Sequence, residues 1–142
     1  MARRVVLDTN VVVAALRSRR GASAAVLLGA GTGKFEFCIS VALFLEYQSA
    51  LKRPEAGITL SVAAIDHILD HLAATGRQQE IFFLWRPTLP DPSDDHVLEL
   101  AVAGRCDAIV TYNRRDFRGA ERFGVRIVSP PEFLLDLRSD EP

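Results

Sequence analysis

Five short apolar runs rich in β-branched residues alternate with longer stretches whose apolar residues recur at helical spacing. That alternation restricts the fold more than any single motif, because short strands joined by crossover helices build a parallel sheet with helices on its faces. The runs are Arg4 to Leu7, Phe35 to Ile39, Ile81 to Leu84, Ala108 to Thr111 and Val125 to Ser129. The first is continuously apolar after Arg4, as a strand buried on both faces requires. Between the runs the pattern predicts helices over about Val11 to Arg17, Ala22 to Leu28, Ser40 (as N-cap) to Lys52 and Ser61 (as N-cap) to Gly76. Two more are expected over about Asp94 to Ala103 and from Pro131 to about Leu137. The order, roughly βααβααβαβ(α)βα, reads as an α/β fold: a single domain over residues 1–142, three layers α/β/α, with a mostly parallel central sheet.

Composition narrows the functional classes. With 142 residues, 49% hydrophobic and 25% charged, the chain is long enough to bury a core and is not a disordered tail. The 17 basic residues against 18 acidic ones, with a pI near 6.3, exclude a protein that coats nucleic acid or membrane non-specifically. Partners must therefore be read from local patterns. Fifteen of the 17 basic residues are arginine, which suits phosphate recognition but also follows from gene composition. Cys38 and Cys106 have no paired spacing and read as small buried hydrophobes of a reducing compartment. Asp8 and Asn10 interrupt the apolar start before a signal peptide or a membrane span forms, so a cytoplasmic protein with no membrane partner is expected.

In open parallel sheets function sits beyond the carboxyl ends of the strands, so the acids that fall there matter most. Asp8 directly follows Val5-Val6-Leu7, with Thr9 and Asn10 next, and is either a helix cap or a site residue. Glu46, at helical spacing, shares a face with Ala42, Leu43 and Ala50, where a carboxylate needs an arginine, exposure or a cation. In Asp91-Pro92-Ser93-Asp94-Asp95, with Ser93 the candidate N-cap, Asp94 starts the inward stripe of Val97, Leu98 and Ala101, while Asp95 lies on its margin. Asp116 follows the strand Ala108 to Thr111, with Thr111 and Asn113 beside it as neutral oxygen ligands or hydrogen-bonding groups. Asp107 precedes that strand and is expected at the opposite rim, in capping or a surface pair. Asp8, Glu46, Asp94 and Asp116 come from four segments that this topology brings to one edge. Four close carboxylates repel unless cations neutralise them, and hard oxygen-seeking ions such as Mg2+ or Mn2+ suit that donor set.

The sequence resembles the PIN-domain nucleases, in particular the prokaryotic toxin components of toxin-antitoxin pairs, over nearly its whole length. The resemblance rests on Val6-Leu7-Asp8-Thr9-Asn10-Val11, Leu45-Glu46-Tyr47, Asp91-Pro92-Ser93-Asp94-Asp95-His96-Val97-Leu98 and Ala108-Ile109-Val110-Thr111-Tyr112-Asn113-Arg114-Arg115-Asp116-Phe117, in that order. It implies a metal-dependent endoribonuclease acting on single-stranded RNA, with Asp8, Glu46, Asp94 and Asp116 as catalytic and metal-binding acids. Thr9, Asn10, Asp95, Thr111 and Asn113 would support them. A small antitoxin protein and a homodimer are implied as partners. Many relatives carry an acid where Asn113 stands, which leaves the fourth carboxylate to Asp116. Arg17, Arg114, Arg115 and Arg118 are candidate phosphate contacts, with Arg19 and Arg20 extending the Arg17 patch.

Other signals carry less. Gly29-Ala30-Gly31-Thr32-Gly33-Lys34 leads from helix to strand and has Phe35 where a phosphate loop has Ser or Thr, so it is a linker. His67 and His71 read as an exposed helix face and His96 as an incidental first-turn residue. Phe82, Phe83 and Trp85 suit core or dimer packing better than base stacking. Two rivals stand beside the nuclease. A phosphotransfer domain with Asp8 as nucleophile lacks the second acid expected at Asn10. A non-catalytic PIN-like module that binds RNA or a partner is kept open by Asn113.

Overall fold

The computed structural model describes residues 2–81 and 89–141. Five strands, β1 (Arg4–Leu7), β2 (Glu36–Ile39), β3 (Arg77–Gln78), β4 (Ala108–Val110) and β5 (Arg126–Val128), form one sheet in the order β3-β2-β1-β4-β5. Every neighbouring pair is parallel. Six helices complete the three-layer α/β/α architecture: α1 (Thr9–Arg17), α2 (Ala22–Gly29), α3 (Val41–Leu51), α4 (Val62–Thr75), α5 (Asp95–Ala103) and α6 (Pro130–Ser139).

The earliest strand becomes the centre of the sheet. Val5, Val6 and Leu7 are fully buried, as the unbroken apolar run demands, with β2 on one side and β4 on the other. Helix α5 packs on β1, β2 and β4, while α1 packs on α2 and α3, and α2 on α6. The rings of Phe35 and Phe133 meet edge-to-face at 5.0 Å, joining the approach to β2 to α6. Local signals set the ends of the helices. The side chains of Ser40 and Ser61 accept the Leu43 and Ala64 amides at 3.1 Å each, and Ser129 with Glu132 forms a capping box. Gly76 ends α4 where a Cβ would lie 2.7 Å from the Phe37 ring, so only glycine lets the helix turn straight into β3.

Two expectations need correction. The third strand among the described residues is Arg77–Gln78, which lies before the expected run and is not part of it. Ile81 packs partly buried against the core outside any strand, while residues 82–84 of the expected strand, with Phe82, Phe83 and Trp85, lie outside the described residues. Ser93 is not the cap of the fifth helix: Asp91 accepts the Ser93 amide at 3.0 Å and starts a 3-10 turn over Pro92–Asp94, which delays α5 to Asp95. The stripe of Val97, Leu98 and Ala101 is buried as expected, but the two acids before it exchange places, Asp95 being buried and Asp94 only half-buried. Cys38 and Cys106 are buried free thiols, as expected.

Candidate active site

The strand order reverses at β1, from which the chain moves first towards β2 and β3 and later to β4 and β5 on the other side. A crevice beyond the carboxyl ends of β1 and β4 follows from that topology. It holds a cavity of about 460 Å³ lined by Asp8, Thr9, Asn10, Glu46, Asp94, Asn113 and Asp116 together with Val13, Ala14, Arg17 and Tyr112. Four carboxylates from four segments thus border one space.

Asp8 combines the two roles left open by its position. As N-cap of α1 its Oδ1 accepts the Thr9 amide at 2.9 Å, and its own amide donates to Val110 O at 2.9 Å, fixing it to the end of β4. Its Oδ2 accepts from the Thr111 hydroxyl at 2.7 Å and from Asn10 Nδ2 at 3.2 Å. Asn10 Nδ2 also reaches Thr111 Oγ1 at 3.2 Å, and Thr111 accepts the Asn113 amide at 3.0 Å. Thr111, only 2% exposed, is therefore the hub that aligns the two strand ends. Burial pushes the Asp8 carboxyl above its ordinary pKa, and the charges of Glu46 and Asp116 push the same way against the hydrogen bonds that hold it down.

Glu46 reaches the site because its helix is pinned to β1. Leu43, Tyr47 and Leu51 form the buried stripe of α3, and the Tyr47 hydroxyl donates to Leu7 O, the last carbonyl of β1. Glu46 stands beside that stripe rather than within it, half-exposed. Its bonded counter-groups among the described residues are a histidine and a hydroxyl rather than an arginine. His96 Nε2 lies 3.2 Å from Glu46 Oε1, and the Thr9 hydroxyl donates to Oε2. His96 holds the Glu46 carboxyl below the usual range, and Glu46 in turn raises the His96 pKa. His96, set aside on sequence grounds, therefore belongs to the site. The signal for it was its place in the first turn of α5, two residues after Asp94.

Asp94 makes no side-chain capping bond, unlike Asp91, which serves its own turn. Its carboxyl is pushed up to about 6, first by burial and then by the charges of Asp116, Asp8, Asp91 and Glu46. Asp116 stands half-buried on the 3-10 turn Arg114–Phe117, whose Asp116 amide donates to Asn113 O at 3.0 Å. Asp95 does not line the cavity. Its Oδ1 accepts the buried Leu89 amide at 2.9 Å, so its support goes to the loop before α5 rather than to the carboxylates.

The arginines separate in the same way. Arg17 lines the cavity, its Nε donating to Ala56 O at 2.8 Å. Arg114 is paired with Glu132 of α6 and is not in the cavity lining. Arg115 and Arg118 are exposed outside it, and Arg19 borders a different groove with Leu16, Leu27 and Ile68. Tyr112 is a lining residue that the sequence reading passed over, although it stands between Thr111 and Asn113 at a strand's carboxyl end.

The model of the PIN domain matches residues 4–115, a span that includes Asp8, Glu46, Asp94 and Asn113 and stops one residue before Asp116. The chain belongs to the PIN-domain family. PIN domains are generally nucleases, and PIN nucleases generally use divalent metal ions. A search of curated proteins finds no match. Among the described residues, no helix is long and apolar enough to cross a membrane.

The oxygen donors fit a hard divalent cation: four carboxylates line the cavity with the Asn113 amide, and Asp94 is raised partly by its acidic neighbours. Among the described residues, no three Asp, Glu, His or Cys side chains close into a ready-made ligand cage. The acids line an open wall instead, an arrangement suited to an ion that keeps several of its waters.

Proposed function

We propose that this PIN domain, a single domain over residues 1–142, is a Mg2+- or Mn2+-dependent endoribonuclease that hydrolyses phosphodiesters of single-stranded RNA. The observation that carries this reading is the convergence of Asp8, Glu46, Asp94 and Asp116 on one cavity with mutual charge repulsion. Asp8, Asp94 and Asp116 would hold the cation. When bound, such an ion lowers the pKa of water and neutralises charge developing on the phosphate.

The chain's own groups do the rest. Both Glu46 oxygens already accept from protein groups, His96 and Thr9, which fixes the carboxylate as a ligand or as the group that positions the attacking water. Asn10 and Thr111 hold Asp8, while Asn113 offers a neutral oxygen where relatives have an acid. The role of toxin restrained by a small antitoxin rests on the resemblance of the sequence motifs. A homodimer has the same basis, together with Val41 and Leu45, exposed on α3 at 75% and 54%.

The test is cleavage of an end-labelled unstructured RNA with Mn2+, repeated with EDTA and with Asp8→Asn. Cleavage that stops under both treatments is expected. Activity that survives both would overturn the metal-nuclease reading, and RNA binding without any cleavage would favour the non-catalytic module.

A further inference from the structure

The carboxylates occupy only part of the cavity. Its remaining wall is one stripe of α1, made by Asn10, Val13, Ala14 and Arg17, which are spaced to share a helix face. The stripe starts beside Asp8 and climbs roughly 10 Å to Arg17 at the end of the helix. Tyr112, whose amide donates to Asn10 of that stripe, lines the same cavity. This half of the cavity is apolar and aromatic with one cation, whereas the other half is acidic.

We propose, building on the ribonuclease reading above, that this half is a subsite for one unpaired nucleotide of the RNA, its base laid on Tyr112 and its phosphate held by Arg17. Tyr112 is 48% exposed, yet it is tied at both ends. Its amide donates to Asn10 Oδ1 at 3.2 Å, and its hydroxyl hydrogen-bonds Ser23, a side chain only 2% exposed. A large ring held open to the cavity by two anchors is a preorganised stacking surface, and a base reaches such a surface only when it is unpaired. Arg17 is anchored through Nε to Ala56 O, and its terminal nitrogens have no hydrogen-bond or ion-pair partner among the described residues. A guanidinium held by its Nε presents those nitrogens as a fork for phosphate oxygens. Asn10 couples the two halves, because its amide nitrogen holds Asp8 while its oxygen holds Tyr112. A base seated on Tyr112 is thereby registered against the acidic half, with a flanking phosphate at Arg17.

Binding rather than turnover tests the subsite. Fluorescence anisotropy of a labelled ten-nucleotide single-stranded RNA is measured at low salt in EDTA, where cleavage does not deplete the probe. Tyr112→Leu should weaken binding about tenfold or more, the usual size of one base–aromatic stack, and Tyr112→Phe should stay within about twofold of the parent. Arg17→Ala should weaken binding and lower the slope of log affinity against log salt by about one. A duplex of the same sequence should bind more weakly than the single strand. Melting curves identify any variant that fails to fold, and Tyr112→Phe then separates a role of the ring from a role of the Ser23 bond. Parent-like binding by Tyr112→Leu, equal loss in Tyr112→Leu and Tyr112→Phe, or equal affinity for duplex would overturn the subsite. Cleavage with Mn2+ keeps the two proposals apart. Cleavage that persists while Tyr112→Leu binds normally removes the subsite alone, and tight single-strand binding without cleavage removes the nuclease alone.

Discussion

The two rims of the same sheet use the same residue types to opposite ends. At the amino rim, acids meet cations or backbone amides: Arg3 pairs with Asp140 and Asp136, Arg4 with Glu36, and Arg126 with Asp136, while Asp107 Oδ2 accepts the Arg4 amide at 2.9 Å. At the carboxyl rim, Asp8, Asp94 and Asp116 face one another, and the compensating groups are His96 on Glu46 and a more distant Arg17. Asp140 is accordingly held below its ordinary pKa by Arg3, whereas Asp94 is pushed up to about 6. One rim satisfies its charges in the folded chain; the other leaves them to be satisfied by something it binds.

The largest break of this contrast is expected from Asp94→Asn. Removing one charge of the acidic wall should lower RNA cleavage about a hundredfold or more, as loss of an electrostatic transition-state contact does. The same change should raise the urea midpoint of the metal-free protein, because it relieves repulsion. A substitution that lowered both activity and stability would show that the carboxyl rim is built for stability after all.

A smaller effect belongs to the strut between the rims. Tyr47→Phe strands the buried Leu7 carbonyl and should cost roughly 1–3 kcal/mol in urea unfolding. It should also reduce cleavage, since α3 carries Glu46. Unchanged cleavage with the full stability loss would mean that Glu46 is positioned by Thr9 and His96 alone.

The smallest effects are those of pH and of single surface pairs. The folded chain binds a proton at Asp94 more readily than the unfolded chain does, with about 6 against 3.8, so that contribution is full below about pH 3.8 and is lost as pH rises through about 6. His96, raised above its ordinary 6.5 by Glu46, contributes fully below 6.5 and loses its contribution as pH rises past its folded value. Asp140 and Glu46, both lowered, contribute above 3.8 and 4.5 and lose their contributions only in acid. The urea midpoint of metal-free protein should therefore decline between pH 5 and pH 8. Asp94→Asn should flatten the first part of that decline, and Mg2+ should oppose it by favouring the ionised acids. Arg3→Ala, which breaks an exposed pair, should barely move the midpoint at moderate salt. A flat profile for the parent would contradict the unbalanced rim.

Much of this was legible in the sequence because it depends on local rules. The buried first strand followed from Val5-Val6-Leu7, and the positions of Asp8 and Asp116 after β-branched runs placed them at the carboxyl edge before any coordinates. What escaped depended on contacts between distant segments. His96 was dismissed because nothing near it in sequence reveals Glu46, fifty positions away. Asp94 and Asp95 were assigned inverted burial because the 3-10 turn at Pro92 shifts the start of the helix, a change of phase that helical periodicity ignores. The pairing of Arg114 with Glu132 depends on α6, which no local pattern around Arg114 reveals. The place of Tyr112 depends on Ser23 on another helix, a contact that its own segment does not reveal.

The position of β1 at the centre of the sheet also has a consequence in time. Asp8 emerges early in synthesis, but the hydroxyl that holds it comes from Thr111, 103 positions later, just after the strand that pairs with β1 on its other side. A ribosome-bound chain that has made β1, β2 and the first four helices therefore has Asp8 and Glu46 but no Asp94, Thr111 or Asp116. Assembly waits for the last third of the sequence, and contacts of such long range close slowly. The order of translation thus delays the acidic centre until the fold is nearly finished, so an incomplete chain does not carry the chemistry of the whole.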